Sequence, residues 1–120
     1  MTIKDLDYKF REEYSKGSLS SIDLNSDPFK QFELWFLDIS KVKEHAPNAI
    51  TLATVSKEGR PSSRIVLLKH FDEKGPVFFT NYKSQKAREI LENPYVSITL
   101  FCVELEREIR IQGRAEKVSK

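Results

Sequence analysis

Four consecutive apolar residues, Ile65-Val66-Leu67-Leu68, stand between Arg64 and Lys69. In an extended chain, successive side chains face opposite sides, so both faces of this strand carry apolar groups that must be covered. One face can fill the interior of a curled sheet. The other needs a helix, a ligand or a second subunit, and a homodimer is the expected solution. The two flanking cations are five residues apart. On a strand they face opposite sides and lie ~17 Å apart, so they suit two anions better than one.

The surrounding pattern predicts a small, mainly β domain with flanking helices. Residues 1–27 are polar, with Gly17 and a serine-rich run, and read as an N-terminal arm with a short helix over Lys4 to Ser15. Asp27 followed by Pro28 is a favourable helix start. Phe29, Phe32, Trp35, Phe36, Ile39 and Val42 then recur at three- and four-residue steps. That spacing could line an aromatic ligand box, but it is also what a core-facing helix requires. After Pro47 the period changes. Strands are expected over 49–56, 62–71, 76–81, 95–103 and 105–112, with residues 114–118 continuing past a bend or bulge at Gly113. The turns are Lys57-Glu58-Gly59-Arg60 and Asp72-Glu73-Lys74-Gly75, and a helix over 83–92 ends at Asn93-Pro94 with Ala87, Ile90 and Leu91 inward. Strands joined mostly by short turns point to an antiparallel sheet that curls into a barrel.

A chain of 120 residues suits one domain, divided here into the arm (1–27) and the barrel domain (28–120). Its charged fraction is 32%, yet its net charge is only +2, which argues against a general nucleic-acid binder. Cys102 is the single cysteine, so the chain cannot form an internal disulfide, and a reducing cytoplasm fits that usage. No apolar run approaches the ~20 residues of a membrane helix.

Within this frame, Arg64, the hydroxyl of Thr80 and Lys86 could converge on one anion, because Lys86 falls in the first turn of a helix opening at Ser84-Gln85-Lys86. A helix start favours anions through its unpaired N–H groups and positive dipole end. The residues therefore read as a phosphate-holding site. Each has a plainer reading: strand-end or first-turn charges reaching solvent, and Ser84 as an N-cap. His45 and His70 stand alone without a second ligand at metal spacing, so no metal site is expected. Cys102, in an apolar strand, reads as a buried inert thiol. Glu104, Glu106 and Glu108 alternate with Leu105 and Arg107 and read as a solvated strand face.

An ordered set of segments resembles one family. Arg11-Glu12-Glu13-Tyr14-Ser15-Lys16-Gly17, Leu52-Ala53-Thr54-Val55, Arg64 to Lys69, Phe78-Phe79-Thr80-Asn81, Ser84-Gln85-Lys86-Ala87, Asn93-Pro94 and Leu105-Glu106-Arg107 with Gly113 are similar to the N-terminal, FMN-binding part of pyridoxamine (pyridoxine) 5′-phosphate oxidases. Any one segment is a weak signal. The set, in order across nearly the whole chain, is specific.

The resemblance implies a split β-barrel, an antiparallel Greek-key fold that binds FMN, and a cytoplasmic homodimer acting in pyridoxine biosynthesis. It implies oxidation of pyridoxamine 5′-phosphate and pyridoxine 5′-phosphate to pyridoxal 5′-phosphate, with hydride transfer to flavin N5 and oxygen as acceptor. Arg64 and Lys86 are implied to hold the FMN phosphate, with Thr80, Ser84 and Gln85 nearby. Ile65, Val66, Leu67, Leu68 and Phe79 are implied to line the flavin, with Glu108 facing its ring. Lys69, Arg11 and Tyr14 are implied to bind the substrate. The flavin carries the chemistry, and no catalytic base is expected among these residues.

The sequence departs from the family's pattern at two positions. Relatives usually carry Arg where Gln85 stands and Gln where Glu108 stands. Loss of a charged phosphate contact costs on the order of 1.5–3 kcal/mol. An ionised carboxylate can only accept hydrogen bonds and would repel electrons gathering on a reduced ring. The family also continues beyond residue 120 with further groups for the substrate phosphate, the flavin and the substrate itself. The expectation for these residues alone is a flavin cradle with an incomplete substrate pocket. The alternative is a non-catalytic flavin- or B6-vitamer-binding protein. A split-barrel relative using another flavin-like cofactor or haem is a third reading, and an oligonucleotide-binding barrel a distant fourth.

Overall fold

The computed structural model describes residues 17, 19 and 24–118. The arm's expected helix, Arg11 and Tyr14 lie outside the described residues. The elements are helix α1 (Pro28–Val42), strands β1 (Ala49–Val55), β2 (Pro61–Asp72) and β3 (Gly75–Phe78), helix α2 (Gln85–Glu92), and strands β4 (Tyr95–Cys102) and β5 (Arg107–Arg114).

The strands form one antiparallel five-stranded sheet in the order β3-β2-β1-β4-β5, curled as half of a split barrel. Three hairpin-connected strands, with a fourth returning beside the first, make a Greek key. The returning connection carries α2. Gly59 (φ 86) and Gly75 (φ 119) supply the left-handed conformations of the β1–β2 and β2–β3 turns.

The helices cover one face of the sheet. Asp27 caps α1 by accepting a hydrogen bond from the Phe29 amide at 3.0 Å, with Pro28 at the first helical position. The middle of the aromatic stripe packs as core, while Phe29 and Val42 at its ends are exposed. Phe32 and Ile39 are buried against Ile50, Leu52, Val66, Leu68, Ile98, Leu100 and Cys102, and the Phe32 and Phe71 rings stack 4.0 Å apart. Trp35 lies under the Arg107 guanidinium, which also bonds Asp38 at 3.0 Å and so ties α1 to β5.

Several expected boundaries change. The third strand ends at Phe78, leaving Phe79, Thr80 and Asn81 in the connection to α2. Gly113 pairs with Val96 inside a continuous β5, with no bend there and no further strand among the described residues. The register shift falls instead between Leu68 and His70 on β2. Residues 103–106 form the β4–β5 turn, with Glu106 in a left-handed conformation (φ 55), so Glu104 and Glu106 are not on a strand face. On α2 the inward residues are Ala87 and Glu89, while Leu91 is 71% exposed.

Candidate functional site

Strand β2 distributes its residues between two faces. Arg64 shares the covered face with Val66 and Leu68, while Ile65 and Leu67 face outward and are 64% and 43% exposed. The Val66 and Leu68 side chains belong to the core. Of the four β2 residues expected to line a flavin, these two have side chains in the core and backbone groups turned toward β1, which leaves Ile65 and Leu67.

The backbone of β2 has an open edge beside these residues. The Leu68 amide donates to the Asn48 carbonyl at 2.8 Å, and the Ser56 amide to the Arg60 carbonyl at 2.9 Å. Stepping by two along that antiparallel ladder, Ser62, Arg64 and Val66 turn their N–H and C=O groups toward β1. Ser63 and Ile65 turn theirs the other way. Strand β3 pairs with β2 only from Leu68 onward, so no described strand meets that edge.

Arg64 is half-buried at the end of the sheet covered by α2. Its Nη1 donates to Thr54 Oγ1 at 2.7 Å, to the Leu52 carbonyl at 3.3 Å and to the Ser62 carbonyl at 3.5 Å. All three acceptors are neutral, and among the described residues no carboxylate pairs directly with this guanidinium. The nearest acidic group is one hydroxyl away: Thr54 Oγ1 donates to Glu89 Oε2 at 2.6 Å. Glu89 Oε1 accepts from Gln85 Nε2 at 2.7 Å and from Ser62 Oγ at 3.2 Å. Hydrogen bonds from Thr54 and Gln85 hold the Glu89 carboxyl below its ordinary value. Burial opposes the shift, and Ser62 and the Arg64 charge add to it.

These contacts join the first turn of α2 to the strand end that carries Arg64. Ser84 caps α2, accepting from the Ala87 amide at 3.3 Å, and its hydroxyl lies 3.4 Å from that of Thr80. Lys86 is half-buried in the same first turn, next to Gln85. The Gln85 amide is engaged with Glu89 and with Ser62 Oγ at 3.2 Å. Phe79 is 74% exposed just beyond β3. Glu108 is exposed on β5, with a carboxylate oxygen 3.7 Å from Arg110 Nε.

Lys69 lies elsewhere. It is exposed at the register shift of β2, on the rim of a cleft of about 770 Å³ between α1 and the end of β2, with Phe29, Phe36 and Phe71 in its walls. A bulge re-aims side chains, and here it turns Lys69 and His70 out together. His70 bonds Asp72 at 3.0 Å across the start of the β2–β3 turn. Cys102 is buried, which raises its thiol pKa, and it donates to Glu104 Oε2 at 3.3 Å. No group of three or more potential metal ligands occurs among the described residues.

Thr54, Ser62 and Glu89 escaped the sequence reading. The available signal was the four-residue spacing of Gln85 and Glu89, which places both on one side of a helix. Nothing local says that this side faces a sheet.

Residues 39–120 match the family model described as pyridoxamine 5′-phosphate oxidase. The chain is 54% identical over 109 residues to a pyridoxine/pyridoxamine 5′-phosphate oxidase of Rippkaea orientalis, covering 91% of this chain and 51% of that protein. It thus spans about half the length of the curated relatives it matches. Among solved structures, it resembles PhzG from Burkholderia lata 383 in complex with tetrahydrophenazine-1-carboxylic acid. The TM-score is 0.78 at 30% identity, over 85% of this chain and 52% of that one. It also resembles a pyridoxamine 5′-phosphate oxidase-related, FMN-binding protein from Nostoc punctiforme, with TM-score 0.63 at 25% identity, over 78% and 49%.

Proposed function

The chain belongs to the pyridoxamine 5′-phosphate oxidase family, and from that premise we propose that it forms the FMN-binding part of an enzyme oxidising pyridoxamine and pyridoxine 5′-phosphates to pyridoxal 5′-phosphate. The observation that carries this reading is Arg64, a half-buried guanidinium bonded only to neutral oxygens. A cation so placed keeps its charge available for an anion.

The residues present fit FMN. Arg64 and Lys86 would hold its phosphate at the start of α2, with Thr80 and Ser84 as hydroxyl donors. The open β2 edge at Ser63 and Ile65 offers backbone donors and acceptors to a ring system, and Ile65, Leu67 and Phe79 offer apolar surface. When bound, FMN supplies a two-electron acceptor that oxygen can regenerate. The chain's own part is to bind, to orient and to exclude water. Lys69, on the opposite face of β2 from Arg64, would take the substrate phosphate, with Arg11 and Tyr14 of the arm over the substrate. The exposed face carrying Ile65 and Leu67 would be covered by a second copy, giving a homodimer with residues 28–120 as its domain.

The test combines binding and turnover. Purified protein should bind FMN, turn yellow and release peroxide when pyridoxamine 5′-phosphate is added. Flavin bound without peroxide release supports the second reading, a flavin- or B6-vitamer-binding protein. Indifference to FMN removes both.

A further inference from the structure

We propose that Glu89 is a positioning residue for Arg64, acting through the buried hydroxyl of Thr54. The inference rests on the reading of Arg64 as a holder of the FMN phosphate.

The direction of the chain of hydrogen bonds follows from its chemistry. Arginine can only donate, and an ionised carboxylate can only accept. Thr54 has one hydroxyl hydrogen and is fully buried. With Glu89 Oε2 at 2.6 Å and Arg64 Nη1 at 2.7 Å, that hydrogen goes to Glu89 and the oxygen lone pairs face Arg64. The first distance is in the short range of charge-assisted O–H···O⁻ bonds. Glu89 is itself held by Gln85 and Ser62 on its other oxygen, and is only 6% exposed. The result anchors one nitrogen of a planar, rigid fork, which fixes the direction of the remaining donors.

A glutamine at position 89 would fill the same space without enforcing this direction. Its amide could donate to Thr54 and free the hydroxyl hydrogen to point at Arg64. Removing the charge has an opposite, direct effect, because a carboxylate behind the guanidinium repels the incoming anion. The two effects have opposite signs, so a single substitution tells them apart.

The readout is the ratio of FMN to riboflavin affinity, measured by flavin-fluorescence titration of the purified chain, since the two ligands differ only in the phosphate. Glu89→Gln and Thr54→Val should each lower the ratio about fivefold or more, as expected for a weakened charge-assisted contact. The double variant should be no worse than Thr54→Val alone, because both act on one relay. Thr54→Ser, which keeps the hydroxyl, should retain the ratio. An unchanged or raised ratio in Glu89→Gln, or losses that multiply in the double variant, overturns the proposal. Thermal melts check that each variant folds, and Glu89→Gln decides alone if Thr54→Val does not. Arg64→Ala separates the two levels. If its ratio matches wild type, the phosphate reading has failed. If its ratio falls while Glu89→Gln stays at wild type, only the positioning role has.

Discussion

Arg64 and Lys69 leave the same strand into different surroundings. The Arg64 guanidinium is half-buried and bonded to Thr54 at 2.7 Å, whereas Lys69 is exposed at the bulge between Leu68 and His70. If each serves its own phosphate, their losses must be separable. Arg64→Ala is expected to weaken FMN binding tenfold or more, from about 1.5–3 kcal/mol for a charge-assisted contact. Lys69→Ala should shift FMN affinity little and instead weaken pyridoxamine 5′-phosphate. Isothermal titration with each ligand checks this, and an equal loss of FMN binding in both variants contradicts the assignment.

Glu89 makes stability depend on pH. Its pKa is lower in the folded chain than the ordinary value of 4.5, chiefly through the Thr54 and Gln85 hydrogen bonds. The unfolded chain therefore binds the proton first as acid is added, and the native state loses stability. The contribution is complete above pH 4.5 and disappears as pH falls through the lowered folded value. Melting temperatures followed downward from pH 6 should drop more steeply for the wild type than for Glu89→Gln. Parallel curves would show that Glu89 is not the group responsible.

The core and the surface of the helices should respond differently. Ile39 is fully buried between α1 and the sheet, and Ile39→Ala should cost about 2–5 kcal/mol. Leu91 is largely exposed on α2, and Leu91→Ala should stay within roughly 0.5 kcal/mol of wild type. Urea denaturation of both variants measures the contrast.

The outward face of β2 predicts an assembly. Ile65 and Leu67 are exposed in the single chain, side by side with Thr51 and Ala49 across the ladder. Ile65→Lys should leave the fold intact and shift the protein from dimer to monomer in sedimentation. A wild type that is already monomeric, or a variant that remains dimeric, contradicts the use of this face.

Much of the fold was legible because it depends on local chemistry. Asp27-Pro28 favours a helix start through the cap and the fixed φ of proline, and glycine at positions 59 and 75 meets the positive φ of tight turns. The aromatic spacing on α1 matched the covered stripe from Phe32 to Ile39, though not its exposed ends at Phe29 and Val42. Strand ends were less legible. Residues 79–81 have strand-like composition, yet leave the sheet to reach α2, and Gly113 sits inside an unbroken ladder because Val96 pairs with it.

The sequence by itself determined the alternation of β2, hence the opposite faces of Arg64 and of Ile65 with Leu67, because that period is built into an extended backbone. It also determined the capped helix start at Ser84. Only the tertiary structure decided that Glu89 faces inward with Gln85 bonded to it, that Thr54 links Glu89 to Arg64, and that a bulge falls at Lys69. The Thr54–Glu89 bond joins residues 35 positions apart, and neither side chain contains a preference for the other until the Greek-key return lays α2 against β1.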